Sequence, residues 1–195
     1  MSSPAIAVLA SGGGRSVENL ADKIRAGELD ARLALVLTDR PCGVLERCAR
    51  LEIPTLALDW KEIGDAEEFA RRAFAAIEQT GAELVVLAGF LRLLVVPDRW
   101  LGRVLNIHPS LLPAFGGKGY YGDRVHRAVL EHGVQFTGCT VHQVDNEYDQ
   151  GQIVLQRVVE VRPDDTVESL GTRVFEEERI ALPAAIAGAL AASAG

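Results

Sequence analysis

The chain reads as an α/β protein with a Rossmann-like, doubly wound and mostly parallel sheet, helices on both faces and a late antiparallel strand pair. Three observations carry that expectation. Short, almost wholly apolar runs recur through the first 110 residues, as strands buried on both faces do. Segments of helical period lie between them. Glycine or proline marks each change of period. Strands alternating with helices imply parallel strands with right-handed crossovers.

The first strand is Ala5 to Ala10, a nearly all-apolar run that ends at Ser11. Ser11-Gly12-Gly13-Gly14 forms a turn, and a helix follows from about Ser16 to Arg25, stopped by Gly27. Leu33 to Leu37 is the second strand, broken at Asp39-Arg40-Pro41. Gly43 to Leu51 reads as helix and Ile53 to Leu58 as the third strand. Asp65 to Gln79 spaces Phe69, Ala73, Phe74 and Ile77 as one helical face, with Gly81 beyond it. Leu84 to Ala88 is the most apolar strand and belongs at the centre of the sheet. Val104 to Ile107 is the next strand.

A glycine-rich loop, Gly116 to Gly122, leads into a helix over Asp123 to His132. Gln135 to Val144 and Ile153 to Val161 are joined across only Asp145 to Gln152, too short a link for a parallel crossover, so they pair antiparallel. Thr166 to Leu190 is a long helical stretch that Pro183 is expected to kink or divide. The alanine- and glycine-rich end, Ala184 to Gly195, is expected to fray at its last residues.

With 48% hydrophobic and 24% charged residues, the 195-residue chain fits a single ordinary globular domain. A net charge of −7 with no basic stripe gives nucleic acid nothing to bind. No apolar run approaches the length of a membrane span. The N-terminus has no basic residue before its apolar run, so it does not read as a signal peptide. Cys42, Cys48 and Cys139 form no C-x-x-C pair, which fits a reducing compartment and a cytoplasmic location.

Four segments can carry chemistry. Asn106-Ile107-His108-Pro109-Ser110-Leu111-Leu112-Pro113 leaves a strand end, and residues two apart on a strand point the same way. Asn106 and His108 thus put an amide donor beside a titratable imidazole, a pairing suited to carbonyl chemistry. Ser11-Gly-Gly-Gly-Arg-Ser16 opens a helix, where free N–H groups can bind phosphate; the same glycines also suit a plain chain reversal. It is not a dinucleotide fingerprint, because Val17 stands where the third glycine belongs, and it is not a Walker loop. Asp145, Glu147 and Asp149 follow Gly138 to Val144, and one of them can pair with His108. His126 and His132 read as surface or core-edge residues, and His142 lies in a strand. No metal-ligand spacing is present, and no metal is expected. In Glu176-Glu177-Glu178-Arg179, a charge run on a helix, any one carboxylate can face a cleft.

Taken together, these motifs resemble those of the folate-dependent formyltransferases over nearly the whole chain. S-G-G-G-R-S is similar to that family's phosphate loop, and Leu87-Ala-Gly-Phe-Leu-Arg92 to its folate-pocket segment. N-I-H-P-S-L-L-P resembles its catalytic segment, and Gly138 to Gly151 its signature, in which the last aspartate before x-G is catalytic.

The resemblance implies formyl transfer from 10-formyltetrahydrofolate, as co-substrate, to the amine of N1-(5-phospho-D-ribosyl)glycinamide (glycinamide ribonucleotide) in de novo purine biosynthesis. It implies Asn106, His108 and Asp149 as catalytic, with Asp149 raising the pKa of His108. Gly12, Gly13, Gly14, Arg15 and Ser16 would hold the substrate phosphate, with Lys118 as a possible further contact. Glu178 would hold the substrate amine. Phe90, Leu91, Arg92, Leu93, Leu94, Asn106, Val144 and Asp145 would line the folate site; the resemblance leaves the residue that meets the folate glutamate open, with Lys61 as one candidate.

Residues 1–195 form one domain on this reading. A phosphate- and nucleotide-binding half spans about 1–110, and a catalytic-loop and folate-binding half about 111–195. The partners are the two small substrates, with no nucleic acid, no membrane and an oligomeric state left open. The competing readings are a 10-formyltetrahydrofolate deformylase, a sugar-nucleotide or tRNA formyltransferase, a Rossmann oxidoreductase and a nucleotide-binding regulatory module without chemistry. The deformylase carries an extra N-terminal domain and the tRNA enzyme a basic C-terminal one, neither of which is expected here.

Overall fold

A computed structural model describes residues 3–193. Seven strands form one sheet: β1 (Ala5–Ala10), β2 (Arg32–Thr38), β3 (Thr55–Ala57), β4 (Leu84–Ala88), β5 (Val104–His108), β6 (Phe136–Gln143) and β7 (Ile153–Glu160). Their spatial order is β3-β2-β1-β4-β5-β6-β7, which puts β4 at the centre as its composition implied. The first five strands run parallel, and β6 and β7 are added antiparallel.

Alternation along β1 shows how the sheet is sandwiched. Ile6, Val8 and Ala10 face one apolar cluster and Ala7 and Leu9 the other. The first cluster takes in α1 (Arg15–Arg25), α2 (Val44–Arg50), α5 (Asp123–His132) and α6 (Val167–Ser193). The second is filled by α4 (Ala66–Gln79), through Phe69, Ala73, Phe74 and Ile77. Asp65 starts α4, its side chain accepting from the Glu68 N–H at 2.8 Å.

Two short elements escape the sequence reading. Trp60–Ile63 forms α3, one turn inside what read as a strand-to-helix connection. Its signals were present: Asp59 accepts from the Lys61 N–H, and Gly64 closes the turn at φ 66°. A 3-10 turn spans Asp98–Trp100 and buries Trp100. The third strand, read as Ile53 to Leu58, holds only Thr55–Ala57 in the sheet.

Pro183 neither ends nor divides α6, which runs from Val167 to Ser193. A proline removes the N–H that would bond the carbonyl four residues back, here that of Arg179. The buried Asn19 of α1 supplies a substitute: its Nδ2 donates to the Arg179 carbonyl at 3.0 Å, and its Oδ1 accepts from the Arg179 guanidinium at 3.3 Å. The helix break is averted by a residue 160 positions away.

The glycines of the Ser11–Ser16 turn divide their work. Gly14 has φ 75°, and a Cβ there would collide with the Val44 side chain of α2. Gly12 and Gly13 have open space where a Cβ would go. Gly14 therefore serves helix packing, while Gly12 and Gly13 leave room above the turn.

Replacing Asn19 by Ala leaves a buried carbonyl unpaired, and urea unfolding should show a loss of about 1–3 kcal/mol. Pro183→Ala on that background should recover part of it by restoring the missing N–H. In the same assay Gly14→Ala should cost about 1–3 kcal/mol through overpacking and a left-handed backbone. Gly13→Ala should stay within about 0.5 kcal/mol of wild type.

Candidate active site

In the order 3-2-1-4-5 the chain winds outward in both directions from β1 and β4. The loops leaving those two strands diverge and open a crevice at the carboxyl ends. A cavity of about 1170 Å³ lies there. The β1–α1 turn (Gly12 to Ser16), the segment after β4 and the end of β5 line it, with Gly117 to Asp123 and Glu178 of α6.

The wall after β4 is stitched in place. The Leu91 N–H donates to Ser11 Oγ and the Leu93 N–H to the Tyr148 hydroxyl, both at 3.1 Å. Asn146 clasps Val96, accepting from its N–H at 2.6 Å and donating to its carbonyl at 3.2 Å. Behind this wall lies Asp39, whose carboxylate is fully buried at the end of β2. Arg40 and Arg92 each reach it at 2.7 Å. Burial pushes its pKa up, but hydrogen bonds from Arg40, Ser11 and Arg92 outweigh that and hold it below the ordinary value. Arg92 also lies over the Trp60 ring, 4.4 Å from its centroid, so α3 and Asp39 fix the guanidinium that was assigned to the folate wall.

Asn106 and His108 leave β5 on one face, as the two-residue spacing required. His108 is 4% exposed. Its Nε2 donates to the Phe115 carbonyl at 2.8 Å, and its Nδ1 lies 3.5 Å from Asp149 Oδ2. A carbonyl only accepts, so Nε2 keeps its proton and Nδ1 is the nitrogen that titrates. Burial pushes the His108 pKa below its ordinary value, and His142 adds to that. Asp149 and the Phe115 carbonyl oppose the shift without overcoming it. The carboxylate does favour the cation, as expected, but burial outweighs it and the net shift favours the neutral ring.

Asp149 is the aspartate that reaches the site. Burial alone would raise its pKa; His142, His108 and the Gly117 N–H together bring it below the ordinary value. That N–H donates to Oδ2 at 2.8 Å, which ties the loop after β5 to the carboxylate. Asp149 and Phe115 both have φ 56°, a left-handed conformation uncommon for residues with a Cβ. The strain sits at the two backbone positions that hold His108.

Most of the residues assigned from sequence line this cavity: Gly12 to Ser16, Phe90 to Leu94, Asn106, His108, Lys118, Val144, Asp149 and Glu178. Asp145 does not; it is exposed and accepts from the Glu147 N–H at 3.1 Å. Lys61 is exposed on α3 and is also outside the lining. Glu178 keeps some exposure to the cavity, yet burial pushes its pKa up to about 7 against the opposing charge of Arg15. Arg15 itself lies over the Phe175 ring, 3.7 Å from the centroid.

Two histidines read as bystanders prove to be part of the site. His142 is buried beside Asn106, its Nε2 3.0 Å from Asn106 Nδ2 and 3.5 Å from Asp149 Oδ1. His126 is buried on α5 and also lines the cavity. A Cβ at Gly171 of α6 would lie 3.0 Å from its ring, so that mid-helix glycine makes space for the imidazole. Neither signal is visible in sequence, because both depend on elements more than thirty residues apart coming into register. Among the described residues no group of three or more His, Cys, Asp or Glu gathers as a metal site.

The chain is similar to known proteins over most of its length. The chain is 43% identical over 185 residues to the trifunctional purine biosynthetic protein adenosine-3 of Gallus gallus, covering 93% of this chain and 18% of that protein. It is 38% identical over 177 residues to the chloroplastic phosphoribosylglycinamide formyltransferase of Arabidopsis thaliana, covering 89% of this chain and 61% of that one. The chain thus spans less than two thirds of the length of both curated relatives. The crystal structure of glycinamide ribonucleotide transformylase 1 from Symbiobacterium toebii superposes with a TM-score of 0.87 at 39% identity, over 95% of this chain and 86% of that one. The profile of the formyl transferase family matches residues 5–186, the whole sheet and all but the end of the last helix, and the chain belongs to that family.

Proposed function

We propose that the protein transfers the formyl group of 10-formyltetrahydrofolate to the amine of glycinamide ribonucleotide, a step of de novo purine biosynthesis. The observation that carries this reading is the convergence of Asn106, His108 and Asp149 on a cavity that the open Gly12–Gly13 turn also lines. The names of the relatives support the choice of substrates. At about 1170 Å³ the cavity exceeds the usual range for one small ligand, which suits two substrates side by side.

In this reading the substrate phosphate rests on Gly12 to Ser16 at the positive end of α1, with Lys118 able to reach it. Glu178, poised to ionise near neutral pH, holds the amine. The reduced folate lies along Phe90 to Leu94 and Val144. Leu91 and Leu93 already spend their N–H groups within the protein, while those of Arg92 and Leu94 have no partner among the described residues and are left for the pterin.

The amine nitrogen attacks the formyl carbon, the carbonyl becomes an oxyanion and the nitrogen becomes cationic. An amide N–H from Asn106 stabilises the oxyanion, a contribution of about 3 kcal/mol for one such donor. The neutral Nδ1 of His108 takes a proton from the attacking nitrogen, and Asp149 stabilises the imidazolium. That proton passes to N10 as the carbon–N10 bond breaks and the carbonyl re-forms, leaving the formylated glycinamide and tetrahydrofolate. The whole chain acts as one domain in this scheme, with residues up to about 110 supplying the phosphate turn and later residues the catalytic loop. No helix of the described residues is long and apolar enough to cross a membrane, and the working location is taken as cytoplasmic.

The test is loss of 10-formyltetrahydrofolate measured with and without glycinamide ribonucleotide. Turnover that needs the acceptor supports the assignment; turnover with water alone would make the protein a deformylase. Asp149→Asn should lower kcat by roughly 10²–10⁴-fold, as for loss of a group that supports proton transfer. Its acidic limb should move to lower pH, because an imidazole without its anion holds a proton less well. An unmoved profile would exclude Asp149 from this role. Gly13→Ala, neutral for folding, should raise KM for the ribonucleotide and leave that for the folate unchanged.

A further inference from the structure

Asn106 and His142 face each other across the antiparallel β5–β6 ladder. The hydrogen bonds around them dictate which atom of each meets the other. His142 Nδ1 lies 2.7 Å from the Gln143 carbonyl oxygen. That oxygen only accepts, so Nδ1 carries a proton and Nε2 is the nitrogen that gains or loses one. Nε2 lies 3.0 Å from Asn106 Nδ2, so with His142 neutral the amide donates to the ring. The second Nδ2 hydrogen is directed at Asp149 Oδ1, 3.4 Å away. Both amide donors are then spent inside the protein, and Oδ1 has no partner among the described residues. A carbonyl oxygen offered to a forming oxyanion repels it. The resting amide is the wrong way round for the work assigned to Asn106.

A proton on His142 Nε2 reverses the arrangement. Two N–H groups cannot share the 3.0 Å contact. Turning the amide end for end lets Oδ1 accept from the imidazolium and frees Nδ2 for the cavity. We propose that His142 is a positioning residue for formyl transfer: on taking a proton it turns the Asn106 carboxamide so that the NH₂ group meets the formyl oxygen.

The turned oxygen lies beside Asp149, a contact relieved only while the imidazolium charge sits between them, which couples the turn to the proton. Among the described residues, the ionisable groups facing His142 are Asp149, from the β6–β7 loop, and His108, at the end of β5. Ile153, its partner on β7, carries no charge. One carboxylate between two imidazoles favours a single cation at a time, so His108 is neutral, and able to accept the amine's proton, when His142 is charged.

This role for His142 rests on Asn106 meeting the formyl oxygen, and two measurements keep the two ideas apart. In the unmodified protein, ¹⁵N NMR of the His142 ring and the Asn106 side chain is followed against pH. The expected result is a proton fixed on Nδ1, titration at Nε2, and Asn106 NH₂ resonances that move with the same midpoint. Asn106 resonances that stay still while His142 titrates overturn the proposal. In the formyl-transfer assay, kcat should fall roughly 10²-fold as pH rises through that midpoint, the loss expected for one oxyanion donor. KM for the folate should stay constant. His142→Gln, which cannot titrate, should abolish this fall; a fall that persists in the variant also overturns the proposal. Coupled resonances with a flat kcat would uphold the amide turn but reject Asn106 as the oxyanion donor, and with it the catalytic part of the proposal.

Discussion

The carboxylate of Asp149 ties together three parts of the molecule that meet only in the folded state. One oxygen faces His108 Nδ1 and accepts the Gly117 N–H; the other faces Asn106 Nδ2 and His142 Nε2. The end of β5, the loop after it and the last part of β6 are thereby referred to a single charge. Asp149 is only 11% exposed at its side chain, so the charge is costly to bury and survives because donors surround it. A left-handed backbone at Asp149 is the conformational cost of aiming it there. Without this anion the buried imidazoles would have no counter-charge, and the loop of Phe115 to Gly117 would lose one of its anchors.

The opposite wall follows the same logic with a different centre. Asp39, at the end of β2, carries no solvent exposure and takes guanidinium groups from Arg40 and Arg92. Arg92 belongs to the segment leaving β4, so the pair joins that segment to the end of β2. Ser11 extends the link to β1 by accepting from the Leu91 N–H. Removing one partner of such a buried pair typically costs about 3–5 kcal/mol, since the other charge is left stranded.

Local signals made most of the fold legible. Apolar runs, helical spacing and glycine stops placed the strands within about two residues of their observed bounds, although β3 keeps only three of its six expected residues, and they anticipated the antiparallel β6–β7 pair. The i, i+2 spacing of Asn106 and His108 already placed both on one face of a strand. What failed was local rule against distant compensation. Pro183 should break a helix, and does not, because Asn19 accepts the hydrogen-bonding duty of its missing N–H. The Ser11–Ser16 glycines look equivalent in sequence, yet Gly14 answers to Val44 while Gly12 and Gly13 face open space. His142 looked like an ordinary strand residue until β5 lay beside it.

From the sequence alone came the element order, the sheet class, the family resemblance and the identity of the catalytic candidates, because periodicity, turn chemistry and short motifs act over a few neighbouring residues. Tertiary structure alone decided which ring nitrogen of His108 titrates, and that burial outweighs Asp149 in setting its charge. It also excluded Asp145 from the cavity and brought His126 and His142 to it. Those outcomes depend on desolvation and on distances of three to four ångströms between residues far apart in the chain. Asn106, the residue on which both readings turn, shows the division well: its place on the strand is a property of the sequence, and the end of its amide that faces the cavity is a property of its neighbour across the sheet.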